Sequence, residues 1–305
     1  MQIECLKKYY NVISLDQLID HYANGTKPPS NSIVITIDDG YKSNYTLAYS
    51  VLKEFNVPAA VFLTTDFIDK KEMLWVDRIE YAINRTKRDN FSLKIDKDTL
   101  SFDFRDDNAK KICYVELITR IKLMSQKSIR EIIESLECSL GQKLSLDNDM
   151  PEIYRPLEWD QILEMIKSGI ISVGSHTCGH VILTRCSPER SKKELFLSKQ
   201  VIENRTGLNC RLFCYPNGGI GDFNYQTKKS LKELGYSCGL TTVAGINDAH
   251  SNVFELKRLS VDSREDLIIF IMTLSGVLKF FLDIRQSMRN IQEAFHVKGW
   301  MDSKV

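Results

Sequence analysis

Val173-Gly174-Ser175-His176-Thr177-Cys178-Gly179-His180 follows a short apolar run (Ile170, Ile171, Val173) and sets two of the chain's five histidines four residues apart. Positions four apart share one face of a helix, so a helical turn after Gly174 would let both imidazoles reach one ion. The pair alone fits packed or solvated histidines equally well. Upstream, Ser32-Ile33-Val34-Ile35-Thr36-Ile37-Asp38-Asp39-Gly40 is an apolar, β-branched run that ends in two carboxylates and a glycine. It reads as a buried strand delivering Asp38 and Asp39 to its C-terminal mouth, where α/β folds keep their chemistry. Asp-Gly also closes ordinary turns, and the histidine pair tips the balance. Adjacent carboxylates on a strand end point to opposite sides of the backbone, so one can bind an ion while the other handles a proton. Two histidines and one aspartate leave open positions on a divalent ion, the pattern of hydrolytic rather than structural zinc.

Thr36-Ile37-Asp38-Asp39-Gly40 resembles the first motif of the polysaccharide deacetylase family (NodB homology, carbohydrate esterase family 4), and His176-Thr177-Cys178-Gly179-His180 resembles its second. Phe213-Cys214-Tyr215-Pro216-Asn217-Gly218 is similar to the third motif in the branch with a Tyr-Pro-x-Gly turn. The three stand in the family's order over most of the chain, with an unusually long insertion between the first two. The resemblance implies a distorted (β/α) barrel and metal-assisted hydrolysis of an N-acetyl, or an O-acetyl, group on an amino sugar of a polysaccharide or glycoconjugate. In that reading Asp39, His176 and His180 hold a divalent ion, zinc by the donor set, with cobalt and nickel as alternatives. Asp38 is the general base, and the backbone N–H of Asn217 is the oxyanion donor. Thr177, Tyr215 and Pro216 follow as substrate contacts.

The chain departs from the family pattern in three places. No histidine of a Leu-x-His type stands in 254–262, where the general acid is expected; His250 precedes that stretch and His296 lies in the tail. Cys214 replaces the arginine at the head of the third motif, and Arg258, in Arg258-Leu259-Ser260-Val261, is the cation offered in its place. A strand that usually precedes the Ser-capped helix starting near Ser14 is missing, so the barrel does without its first strand or the reading frame is truncated. A general acid is worth about 10²–10⁴-fold, so its loss handicaps catalysis without abolishing it.

At 305 residues and 43% hydrophobic, the chain can bury one large core or two modest ones. We read 1–305 as a single α/β domain interrupted by a mainly helical insertion at about 69–155, denser in charge than the 27% of the whole chain, with a helical extension over 263–305. Within the insertion, helical spacing runs over 73–84 and 109–137, with a small hairpin between Phe91 and Phe104. Further helices are expected over 41–55, from Leu157 to Lys167 and from Ser187 to Arg205, with strands at 57–63, 211–215 and 236–242. The 41 basic and 40 acidic residues give +1, which suggests no nucleic-acid surface. Eight cysteines form no CxxC framework and no secretory signal is visible, so reduced thiols and a cytoplasmic chain are expected. The uncharged stretch at 267–277 falls short of the roughly 20 residues of a membrane span and reads as a packed helix, with a surface-lying helix as the alternative. Three rival functions stay open: an impaired glycan-binding relative, a metal hydrolase of another non-peptide C–N bond, and an interaction protein that docks through the insertion.

Overall fold

Strand alternation and helix caps account for most of the architecture. The computed structural model describes residues 1–95, 97–141, 150–262 and 266–277. Nine short strands run in chain order: β1 (Asn11–Val12), β2 (Ser32–Ile33), β3 (Ile35–Ile37), β4 (Ala59–Leu63), β5 (Asn90–Ile95), β6 (Asp98–Asp103), β7 (Ile171–Ser175), β8 (Leu240–Ala244) and β9 (Leu256–Arg258). β1 pairs in parallel with β2, and β3, β4 and β7 form a parallel ladder in that order. Single parallel bridges, Ser175 to Phe213 and Cys214 to Leu240, carry the sheet across to β8, which pairs in parallel with β9. The result is mixed α/β, with parallel strands whose C-terminal ends share one edge. Among the described residues no backbone ladder joins β9 to β3; the Arg258 side chain crosses instead to Thr36.

Side chains alternate across this sheet with the two-residue period of a strand. Ala59, Val61, Leu63, Val173, Phe213 and Tyr215 pack into one core with the surrounding helices. Ala60, Phe62, Leu212, Cys214 and Leu240 face a second, filled by Leu15 and Ile19 of the helix Leu15–Ala23. That helix starts where Ser14 and Gln17 close a reciprocal capping box. The helix Pro188–Thr206 starts on Ser187 with proline in its first turn and stops at Gly207.

Expected elements differ in detail: among the described residues 211–215 keeps only single bridges at Phe213 and Cys214, and the strand expected over 236–242 is met by β8 at Leu240–Ala244. The strand expected over 32–40 is broken at Val34 into β2 and β3, and its isoleucines are half-buried, because β3 has a strand neighbour on one side only among the described residues. The helix expected over 41–55 begins as a π-helix, Asn44–Tyr49, and becomes α-helical at Ser50–Phe55. Residues 75–140 gather a separate core: the helices Trp75–Arg85, Asp107–Ile121 and Gln126–Leu140 pack on the β5–β6 hairpin around Ile79, Leu93, Leu117 and Ile133. Arg78 forks onto the buried Glu137 at 2.7 and 2.9 Å and ties two of these helices together. Of the 263–305 stretch, the helix Leu267–Leu274 is described, with Phe270 packed on Cys5 and Leu6; His296 lies outside the described residues. No helix among the described residues is long and apolar enough to cross a membrane.

Gly174 is where β7 can carry no side chain. An added Cβ would sit 2.6 Å from the Phe62 ring and 2.8 Å from the Leu212 carbonyl, which is backbone already held by the Ser175 N–H and cannot yield. Gly174→Ala is therefore expected to cost about 1–3 kcal/mol, seen as a lower urea midpoint at unchanged m-value.

Candidate active site and metal centre

β3 ends in Asp38-Asp39-Gly40 and β7 runs into His176, so the shared C-terminal edge brings both motifs together. The loop from 176 to 180 is not a helix. Thr177 and His180 take left-handed φ of 66° and 51°, which breaks any helical turn, and the two rings converge through loop geometry instead. His176 Nε2 lies 3.4 Å and His180 Nε2 3.3 Å from Asp39 Oδ1. That oxygen is buried and, among the described residues, has no hydrogen-bond donor. His176 Nδ1 faces the Cys214 carbonyl at 2.7 Å; a carbonyl only accepts, so Nδ1 carries a proton, and Nε2 is the nitrogen that a bound ion would take in place of a proton. An orphaned carboxylate oxygen and two imidazole nitrogens aimed at one point, with one ring held from behind, fit a divalent ion.

Asp38 points the other way. Arg258, at the end of β9, forks onto it with Nη1 to Oδ1 and Nη2 to Oδ2, both at 2.8 Å. The remaining donors of Arg258 reach the Thr241 carbonyl at 2.7 Å and Thr36 Oγ1 at 3.2 Å, so the guanidinium is fixed on four acceptors. Burial acts to raise the Asp38 carboxyl, but the Arg258 hydrogen bonds and the charges of His176 and Arg258 outweigh it and hold Asp38 below its ordinary range. Asp39 is held far below its range by the two imidazoles, again against burial. Cys214 Sγ, Asp38 and His176 also lie within 4.8 Å of one another. Arg258 already neutralises the Asp38 carboxylate, whereas among the described residues the Asp39 carboxylate has no such cation beside it, so an added cation belongs on the Asp39 side.

The remaining candidates separate. Thr177 is fully buried and its hydroxyl accepts the Val181 N–H, so it braces the loop between the histidines. Strand alternation turns the Tyr215 ring into the core against Phe223, and its hydroxyl donates to the Phe254 carbonyl at 2.9 Å. Pro216 is buried beside it. Asn217 takes φ 60° in the turn that follows, with its carbonyl accepting from the Thr242 hydroxyl. Asp39, Thr177, His180 and Asn217 are four of the seven non-glycine residues with positive φ among the described residues; strain of this kind gathers at functional sites. The loop carrying His250 is held by Tyr22, which donates to the Asp248 carbonyl at 2.7 Å. All eight cysteines are free thiols.

The family model for polysaccharide deacetylase matches residues 25–239, more than half of the chain and all three motifs. The chain belongs to the polysaccharide deacetylase family. Among curated proteins, YxkH of Bacillus subtilis (strain 168) is 23% identical over 235 residues, 77% of this chain. The match spans about half of that relative, 53% of its length. Two solved structures share the fold at 17% identity. The Streptococcus pyogenes deacetylase PplD in complex with acetate has a TM-score of 0.58, with 90% of this chain and 84% of that one covered. IcaB from Ammonifex degensii has 0.57, with 90% and 86% covered.

Within this deacetylase framework, three neighbours of the site escaped the sequence reading. Glu194 Oε2 accepts the N–H groups of Cys178 and Gly179, both at 3.1 Å, and so supports the loop between the histidines. Trp75 and Asp77, at the start of the insertion's first helix, reach His180 and Tyr41. Helical spacing over 73–84 marks Trp75 as one apolar position among several, and a carboxylate beside such a stripe gives no signal of what it faces.

Burial, with the Asp39 charge adding to it, pushes the Asp77 carboxyl up to about 7 from 3.8. Between those values the folded chain binds a proton that the unfolded chain has lost, so stability falls as pH rises through this window. Asp77→Asn keeps an acceptor for Tyr41 and removes the titration. In metal-free protein its stability relative to wild type should grow by about 4 kcal/mol from about pH 4 to about pH 8, read from urea midpoints across that range.

Proposed function

We propose that this chain is a divalent-metal-dependent hydrolase that removes acetyl groups from an amino sugar in a polysaccharide or glycoconjugate. The convergence of Asp39 Oδ1, His176 Nε2 and His180 Nε2, with a separately held carboxylate next in sequence, carries the reading. Asp39, His176 and His180 would hold the ion, zinc by their mixture of imidazole and carboxylate. When bound, the ion supplies Lewis-acid chemistry, polarising the acetyl carbonyl and acidifying water.

The protein's own part is orientation and proton handling. Asp38 Oδ2 accepts from both Arg258 and the Cys214 thiol, whereas Oδ1 accepts from Arg258 and keeps a lone-pair direction that can accept a proton from the attacking water. The Arg258 hydrogen bonds lower the basicity of Asp38 and in exchange fix its direction, a role that falls to the arginine absent from position 214 in the family pattern. Attack on the carbonyl places negative charge on its oxygen, and the Asn217 N–H is the backbone donor for it. Collapse breaks the C–N bond. The nitrogen needs one proton, and the proton that Asp38 took from water balances the step without the missing histidine.

The test is acetate release from N-acetylated oligosaccharides and from nucleotide- and lipid-linked acetamido sugars, with chelated protein before and after zinc or cobalt is restored. Release that disappears on chelation and returns with the metal supports the reading. Tight metal binding without release from any substrate in the panel would move the chain to a glycan-binding role.

A further inference from the structure

The helix Trp75–Arg85 lies outside the three family motifs, yet it grips two of them. Its first residue, Trp75, is buried and donates its indole N–H to the backbone carbonyl of His180 at 3.3 Å. Asp77, also buried, accepts the Tyr41 hydroxyl at 2.8 Å, and Tyr41 follows Asp39-Gly40 directly. The far end of the insertion holds the same loop. Lys42 N–H donates to the Arg155 carbonyl and Leu157 N–H to the Gly40 carbonyl, both at 2.8 Å.

The two anchored sites are places where the backbone resists. Asp39 has φ 74° and His180 φ 51°, a left-handed conformation that strains a non-glycine residue and persists only where the surroundings enforce it. The two histidines also differ. The His176 ring is fixed through Nδ1 on the Cys214 carbonyl, whereas His180 Nδ1 is buried without a hydrogen-bond partner among the described residues. A ring with no bond behind it depends on its main chain for aim, and Trp75 bonds to that main chain.

We infer that Trp75 and Asp77 are positioning residues through which the insertion sets the metal affinity of the site, by holding His180 and the Asp39–Tyr41 loop in their ligating geometry. This rests on Asp39, His176 and His180 being the ligands. It gives the insertion a role in the chemistry that neither a solvated excrescence nor a remote docking surface would have. Linkage makes the effect reciprocal: an ion that needs this geometry must also hold the helix in place.

The experiment titrates Co²⁺ into chelator-stripped full-length protein against a chromophoric competitor. Trp75→Phe keeps a ring and removes the N–H; Asp77→Ala removes the acceptor; Asp77→Asn retains one. Weakening of about tenfold is expected for Trp75→Phe and Asp77→Ala, with Asp77→Asn recovering most of the loss. Lys127→Ala, on the exposed far side of the insertion, should bind as wild type does. Adding Co²⁺ to wild type should also slow amide hydrogen exchange in 75–85, a readout that stands if a variant fails to fold. Unchanged affinity in Trp75→Phe and Asp77→Ala, or exchange in 75–85 indifferent to Co²⁺, overturns the inference while leaving the ligand set intact. Wild type that binds no Co²⁺ overturns the ligand set and the inference together.

Discussion

Asp38→Asn is expected to lower kcat by about 10²–10⁴-fold and to leave Co²⁺ or Zn²⁺ affinity unchanged. The split follows from the direction of the two carboxylates. Asp39 faces the imidazoles, and Asp38 faces Arg258. An amide at 38 accepts no proton from water, so the base is lost while the ligand set remains. The substitution has a second consequence that must be separated from the first. Arg258 would face an NH₂ group where it now has an acceptor, and a part-buried guanidinium left one acceptor short costs about 1–3 kcal/mol. Unfolding midpoints measured beside kcat divide the two effects: a drop in kcat at temperatures where the variant is fully folded belongs to the base. Full activity in folded Asp38→Asn would sink its role as base.

His180→Ala should show the opposite pattern. Removing one of three protein ligands leaves a carboxylate and a single imidazole, too few to hold the ion against a chelator. The Lewis-acid contribution is several kcal/mol, so activity at limiting metal should fall about 10³-fold or more, with Asp38 still in place. Competition titration with Zn²⁺ reads the affinity, and excess metal should restore part of the rate. Unaltered affinity in this variant would remove His180 from the ligand set. Together the two substitutions separate proton transfer from ion binding in a way that neither does alone.

Much of the site was legible because its parts are local. A β-branched run ending in Asp38-Asp39-Gly40 reads as a strand mouth whatever surrounds it, and His176 and His180 announce themselves by spacing and by their order relative to that run. The caps at Ser14 and Ser187 were equally readable, since a cap is satisfied within one turn of chain.

Spacing did not specify backbone, however. The four-residue interval suggested a helix, and the fold meets the same interval with a loop in which Thr177 and His180 are left-handed. Such a conformation survives because Trp75, Glu194 and the neighbouring strand ends hold it, and those partners leave no periodic trace in the sequence. Tyr215 looked like a substrate contact from its motif. Only the facing of the strand segment decided that Cys214 turns to Asp38 while Tyr215 turns to the core.

Sequence alone therefore determined which residue types could hold an ion and move a proton, because those depend on side-chain chemistry and short-range pattern. Tertiary structure decided what braces the ligands, and it put Arg258, which the family resemblance alone had offered, onto both Asp38 oxygens. Arg258 stands 220 residues from its partner and Trp75 105 from His180. Contacts at such separations are set by how strands and helices pack, a property of the folded chain as a whole that no local pattern encodes.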